Sequence, residues 1–103
     1  MPLYAAMNGL LANLPASESA AQRFLSTLPP NVQEQLICAI YLGREHIHSQ
    51  TLRDDVDLSR GYTDHIDRGN YARIVYEKGS SLLTYFGSLQ RCASNSSFDL
   101  NQL

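Results

Sequence analysis

The sequence is poor in cysteine and lacks any long uninterrupted run of apolar residues. Its two cysteines, Cys38 and Cys92, lie far apart and match no spacing typical of metal or redox motifs. No segment approaches the roughly 20 consecutive apolar residues that a membrane-spanning helix needs, and Asn8 and Gly9 interrupt the apolar N-terminus. We therefore expect a reduced, cytoplasmic protein that has no membrane partner.

An excess of charge of either sign is also missing, since the formal net charge is −2. Binding to nucleic acid depends on neutralising many phosphates, so we keep a nucleic-acid-binding regulator only as a second alternative function. The basic side chains are uneven, because seven are arginine and only Lys78 is lysine. Five of these arginines share residues 44–73 with six acidic residues, which predicts a network of surface ion pairs.

Recognisable catalytic patterns are missing as well. The six glycines are isolated, so the chain has no glycine-rich loop of the kind that binds phosphate. Cys38 lies inside an apolar run, where a thiol is not activated as a nucleophile. No serine belongs to a motif that would place it beside a histidine. These absences favour a protein that is not an enzyme and that uses no cofactor.

Helical periodicity, by contrast, extends along most of the chain. Apolar residues recur at intervals of three and four in segments 3–14, 20–28, 32–42 and 71–90. Very few residues join the first two segments, so we expect their helices to pack as an antiparallel pair. We predict an all-α fold, a compact bundle of four to five helices, in a single domain over residues 1–93. The polar residues 94–103 are predicted to form a flexible C-terminal tail.

Two glycines influence how the predicted helices are placed. Segment 32–42 is predicted to be the central helix, with Gly43 as its C-terminal cap. Segment 71–90 is predicted to be one helix packed across it, in which Gly79 permits the close approach of a neighbour. A short helix is predicted over residues 62–68. The polar residues 44–61 are expected to be either partly helical or functional.

The sharpest cluster of chemically versatile residues is Glu45-His46-Ile47-His48, with His65 further along the chain. Imidazole and carboxylate groups suit zinc and other transition metals as ligands. Histidines two positions apart share a face only on a strand, however, and this pair follows a predicted helix. We interpret the histidines as solvated loop residues. The alternative function is a metal- or small-ligand-binding protein that uses His46, His48 and His65.

Tyrosine and arginine are concentrated in the second half of the chain. Both are enriched where proteins contact one another, because each combines a large surface with polar groups. The same tyrosines also fit the edge of a helical core. Our leading hypothesis is a non-enzymatic protein-interaction or regulatory module that forms a homodimer. Its predicted contact residues are Arg44, Arg60, Tyr62, Arg68 and Tyr71.

One short stretch carries a family resemblance. Residues 36–44 read Leu-Ile-Cys-Ala-Ile-Tyr-Leu-Gly-Arg and follow Leu28-Pro29-Pro30. This text resembles a bacterial family of short, uncharacterised all-helical domains, in which a similar apolar run ends in a Leu-Gly-Arg-Gly-type motif (here Leu42-Gly43-Arg44). Glu45 stands where that motif has its final glycine. The resemblance extends over residues 24–90; it implies a helical fold and implies no chemistry.

Overall fold

The computed structural model describes residues 2–103, and helices are the only regular elements within that range. They account for 69% of the residues, and no strand is present in the part of the chain that the structure describes. The predicted all-α bundle is thereby confirmed. The α-helices are α1 (Pro2–Ala12), α2 (Glu18–Ser26), α3 (Pro30–Glu45), α4 (Tyr71–Glu77) and α5 (Leu82–Asn95). Short 3-10 turns occupy Arg60–Thr63, Arg68–Asn70, Gly79–Ser81 and Leu100–Gln102.

Helix α3 forms the centre of the bundle, as predicted. Pro30 stands at its first turn, where the missing backbone N–H costs no hydrogen bond. From Leu36 to Ile40 every side chain is fully buried, because α3 is covered by α1, α4 and α5 together. Such a helix is apolar on most sides and not only along one stripe.

Gly43 lies inside α3, so its predicted role as a helix cap is wrong. Helix α3 continues to Glu45, and Gly43 packs directly against the backbone carbonyl of Tyr85 on α5. The Ser88 hydroxyl on α5 donates a hydrogen bond to the Gly43 carbonyl at 2.8 Å. The close approach was predicted at Gly79, but a β-carbon there would meet no heavy atom within 4 Å.

The last predicted helix is broken in two. Helix α4 ends at Glu77, and Lys78 leads into the 3-10 turn Gly79–Ser81 before α5 begins. Glycine and serine are weak helix formers, which explains why the break falls here. The break allows the two halves to cover different neighbours, since α4 packs mainly against α2 and α5 mainly against α3. Helix α1 also packs mainly against α3, so the expected pairing of α1 with α2 is not a main contact.

The C-terminal residues 94–103 differ from the predicted flexible tail, because they fold back onto the bundle. Helix α5 continues to Asn95, and Leu100 and Leu103 are both buried. The Gln35 side-chain amide on α3 donates a hydrogen bond to the Asn101 carbonyl at 3.0 Å. Burial of Leu100 and Leu103 supplies the apolar contact area that holds this polar segment against the bundle. The hydrogen bond from the buried Gln35 amide satisfies a polar group that docking would otherwise leave without a partner.

No helix within residues 2–103 is both long and apolar enough to cross a lipid bilayer.

Candidate interaction surface

Segment 60–71 forms one wall of an open cleft next to α3. The predicted short helix over 62–68 is wrong, because two separate 3-10 turns replace it. The Ser59 hydroxyl accepts the Gly61 N–H at 3.2 Å, and the Asp67 carboxylate accepts the Gly69 N–H at 3.1 Å. Such local side-chain bonds favour tight turns over a continuous helix.

The cleft itself has a volume of about 600 Å³ and is mostly polar. Glu34 on α3 and Tyr71 at the start of α4 line it, and its other lining residues come from the two turns and the link between them. It is lined by Glu34, Arg60, Gly61, Thr63, Asp64, His65, Ile66, Asp67, Arg68 and Tyr71. Three of the five predicted contact residues are therefore part of one concave site.

Two arginines of the cleft share a single carboxylate. Arg60 Nη1 lies 3.2 Å from Glu34 Oε1, and Arg68 Nη2 lies 3.0 Å from Glu34 Oε2. The two arginine side chains are 45% and 48% exposed, so solvent screens these ion pairs and each contributes little to stability. Asp64 and Asp67 line the same cleft, so its two guanidinium groups lie among three carboxylates.

Tyr71 is the predicted contact residue that the structure places in the core. Its side chain is only 6% exposed, and burial raises the pKa of its hydroxyl. The Arg68 guanidinium lies over its ring, 5.6 Å from the ring centre. Tyr71 therefore supports Arg68 from beneath through a cation–π contact and offers little surface of its own.

A smaller pocket of about 260 Å³ adjoins the cleft. It is lined by Tyr41, Arg44, Tyr62, Thr63, His65 and Ile66. The last three of these residues also line the cleft. The Arg44 guanidinium lies 5.1 Å from the centre of the Tyr41 ring. Tyr62 is half-buried. Its pKa is raised mainly by burial and, to a smaller extent, by the nearby Glu45 carboxylate. We call the cleft and this pocket together the contact face.

The remaining arginines of the central stretch are also engaged. Arg53 forms ion pairs with Glu45 at 3.5 Å and with Asp55 at 2.6 Å, and its hydrogen bonds lower the pKa of Asp55. Arg73 pairs with Glu77 one helical turn away at 3.5 Å. The predicted network is thus divided into two groups of three residues, around Glu34 and around Arg53, and one separate pair. Acidic partners accompany these arginines, which leaves no continuous basic surface along the central stretch.

The three histidines have different environments and do not meet. His46 is fully buried, so its interpretation as a solvated residue is wrong. Its Nδ1 donates to the Leu42 carbonyl at 2.7 Å, and its Nε2 accepts the Arg53 backbone N–H at 2.9 Å. His48 and His65 are exposed. Within residues 2–103 no group of three His, Cys, Asp or Glu side chains is arranged to hold a metal ion.

The loop after α3 is fixed by side chains that the sequence analysis missed. Residues 46–59 contain no helix, and the Arg91 guanidinium on α5 donates to the carbonyls of His46, Ile47 and Ser49 at 2.8 to 3.3 Å. Asn95, one turn further along α5, donates to the Gln50 carbonyl at 2.7 Å. The sequence signal for this contact was the four-residue spacing of Arg91 and Asn95, which places both side chains on one exposed face of α5.

The two cysteines are free and buried. The Cys38 thiol donates to the Ser59 carbonyl at 3.2 Å, and burial raises its pKa to about 12. At neutral pH this thiol is protonated and is a poor nucleophile. Its hydrogen bond instead connects α3 to the residue that begins the first 3-10 turn of the cleft.

No protein-family model, no curated protein and no solved structure matches this chain. The resemblance based on Leu42-Gly43-Arg44 accordingly stays a prediction.

Proposed function

We propose that this protein is a non-enzymatic interaction or regulatory module that associates with a second copy of itself through the contact face. The observation that carries the proposal is the arrangement of Arg44, Arg60, Tyr62 and Arg68 around one cleft and one adjoining pocket. Arginine and tyrosine dominate the residues that contribute most to binding between proteins.

The chemistry of the contact face supports a protein partner. The pocket offers aromatic and aliphatic surface from Tyr41, Tyr62 and Ile66, and the cleft beside it offers charged groups from Arg60 and Arg68. Protein interfaces combine an apolar centre with a polar rim in the same way. The small size of the domain favours self-association, because a chain of 103 residues buries only a modest fraction of its surface alone.

A cytoplasmic location is part of the same proposal. Cys38 and Cys92 are unpaired and buried, so the fold gains nothing from an oxidising compartment.

Hydrogen–deuterium exchange at low and high protein concentration tests the position of the contact face. We expect amides of residues 60–71 to exchange more slowly at high concentration, because association excludes solvent from the cleft. Residues 13–16, which line a separate cavity of about 310 Å³, provide the internal reference and should not change. Protection confined to the surroundings of Leu83, which is 70% exposed on α5, would place the interface elsewhere. Exchange that does not depend on concentration would contradict self-association.

A further inference from the structure

The cleft contains unpaired acidic groups as well as arginines. Asp64 and Asp67 line the same cleft as Arg60 and Arg68, and both aspartates are exposed. Within residues 2–103 neither aspartate forms a salt bridge, and Asp67 is engaged only through its hydrogen bond to the Gly69 N–H. One short segment thus carries both signs of charge at one open site.

The two arginines retain donors for a further carboxylate. A guanidinium group has five N–H donors. Arg60 uses one on Glu34, and Arg68 uses one on Glu34 and a second, at 3.5 Å, on the Pro30 carbonyl. A further carboxylate placed between the arginines would accept hydrogen bonds from these remaining donors.

A second copy of this chain can supply that carboxylate and receive the same contact in return. In a dimer with two-fold symmetry the same patch lies on both subunits, so a contact from one residue to another is made twice. A patch that contains both Arg68 and Asp64 meets the requirement of self-complementary charge. A partner that carries charge of only one sign would pair with the arginines or with the aspartates of the cleft, but not with both.

We propose that two copies associate across a two-fold axis, with Asp64 of each copy placed between Arg60 and Arg68 of the other. This inference rests on the proposed function, because it specifies how the contact face would recognise its partner. The interface would weaken as salt is added, since the exposed ion pairs are screened over about 8 Å at physiological ionic strength.

A charge-swap experiment tests this pairing. The single variants Arg68→Asp and Asp64→Arg are each expected to raise the dimer dissociation constant more than about tenfold, because like charges then meet twice per dimer. An equal mixture of the two variants is expected to form a heterodimer, because one of its symmetric contacts is native and the other brings together the two introduced side chains, which carry opposite charge. Sedimentation velocity with one variant fluorescently labelled measures both effects.

The controls separate this inference from the proposed function. Arg23→Asp on α2 and Asp54→Arg in the loop after α3 change the charge equally outside the cleft and should leave the dimer intact. Thermal unfolding checks each variant, and Arg60→Asp replaces Arg68→Asp if the latter does not fold. A wild-type dimer that both single variants leave intact, or that the mixture does not restore, overturns the pairing while self-association survives. A wild-type protein that stays monomeric overturns both proposals.

Discussion

The backbone carbonyl of Tyr85 on α5 occupies the place where Gly43 on α3 would carry a β-carbon. The two helices therefore touch backbone to backbone at this point, and the Ser88 hydroxyl bridges them by donating to the Gly43 carbonyl. This contact joins the central helix α3 to α5, the helix whose side chains hold the loop that follows α3. It also gives a physical reason for glycine between Leu42 and Arg44, independent of any family resemblance.

Gly43→Ala should destabilise the fold by about 3 kcal/mol or more, because neither backbone can move without separating α3 from α5. Chemical denaturation monitored by circular dichroism measures the change. Gly87→Ala provides the matched control, since Gly87 is an exposed position inside α5 with no heavy atom near the added methyl group. That variant should gain about 0.5 to 1 kcal/mol from the better helix propensity of alanine. Equal effects of the two substitutions would contradict the packing argument.

His46→Leu should cost about 2 kcal/mol of unfolding free energy. Leucine retains apolar volume but leaves the Leu42 carbonyl and the Arg53 N–H without their ring partners. His48→Leu, at an exposed position, should change the unfolding free energy by less than about 0.5 kcal/mol. Urea titrations of both variants give the comparison, and similar losses would show that His46 is not the structural residue described above.

Arg91→Lys should loosen the loop after α3 without unfolding the bundle. Lysine keeps the charge but lacks the planar fork that reaches the carbonyls of His46, Ile47 and Ser49. Faster hydrogen exchange is expected in residues 46–53, with α1 and α3 unchanged. Arg23→Lys on α2 is the control for the same chemical change at an exposed site. Unchanged exchange in the loop would show that the Arg91 hydrogen bonds are dispensable.

The Cys38 thiol should make the fold less stable in strongly alkaline solution. Its pKa is raised from 9.0 to about 12 in the folded chain, so between these values the unfolded state has lost a proton that the folded state retains. Unfolding free energy should therefore fall as pH rises, with this thiol contributing up to about 1.4 kcal/mol per pH unit. Comparison with Cys38→Ala isolates this contribution, because the variant should show a shallower slope above pH 9 and the same slope below it. Parallel slopes throughout would contradict the burial argument.

The sequence predicted the helices well wherever an apolar stripe and a terminating residue agreed. Helix α3 begins at the second of two prolines and contains an almost continuous apolar run, so its position and its central role were both predictable. The break at Gly79–Ser81 was harder to predict, because the apolar register continues across it from Val75 to Leu82 and Phe86. Helical periodicity alone does not distinguish one helix from two that share a register.

The parts that the sequence did not predict depend on long-range polar contacts. His46 looks like a solvated residue in a charged segment, and only the return of the chain at Arg53 completes its hydrogen bonds. Docking of Leu100 similarly depends on Gln35, which is distant in sequence. The contact residues were predicted from residue type alone, which explains why Tyr71 was grouped with exposed residues although it lies in the core.

The most direct test of self-association through the contact face is the solution mass of the protein by light scattering over a series of concentrations. We predict a dimer for the wild-type chain and a dissociation constant raised by at least about tenfold for the Arg60→Ala/Arg68→Ala double variant. The Arg23→Ala/Arg73→Ala variant, which removes two arginines outside the cleft, should retain the wild-type mass. A wild-type monomer at every concentration, or a dimer that the first double variant leaves unchanged, would contradict the account.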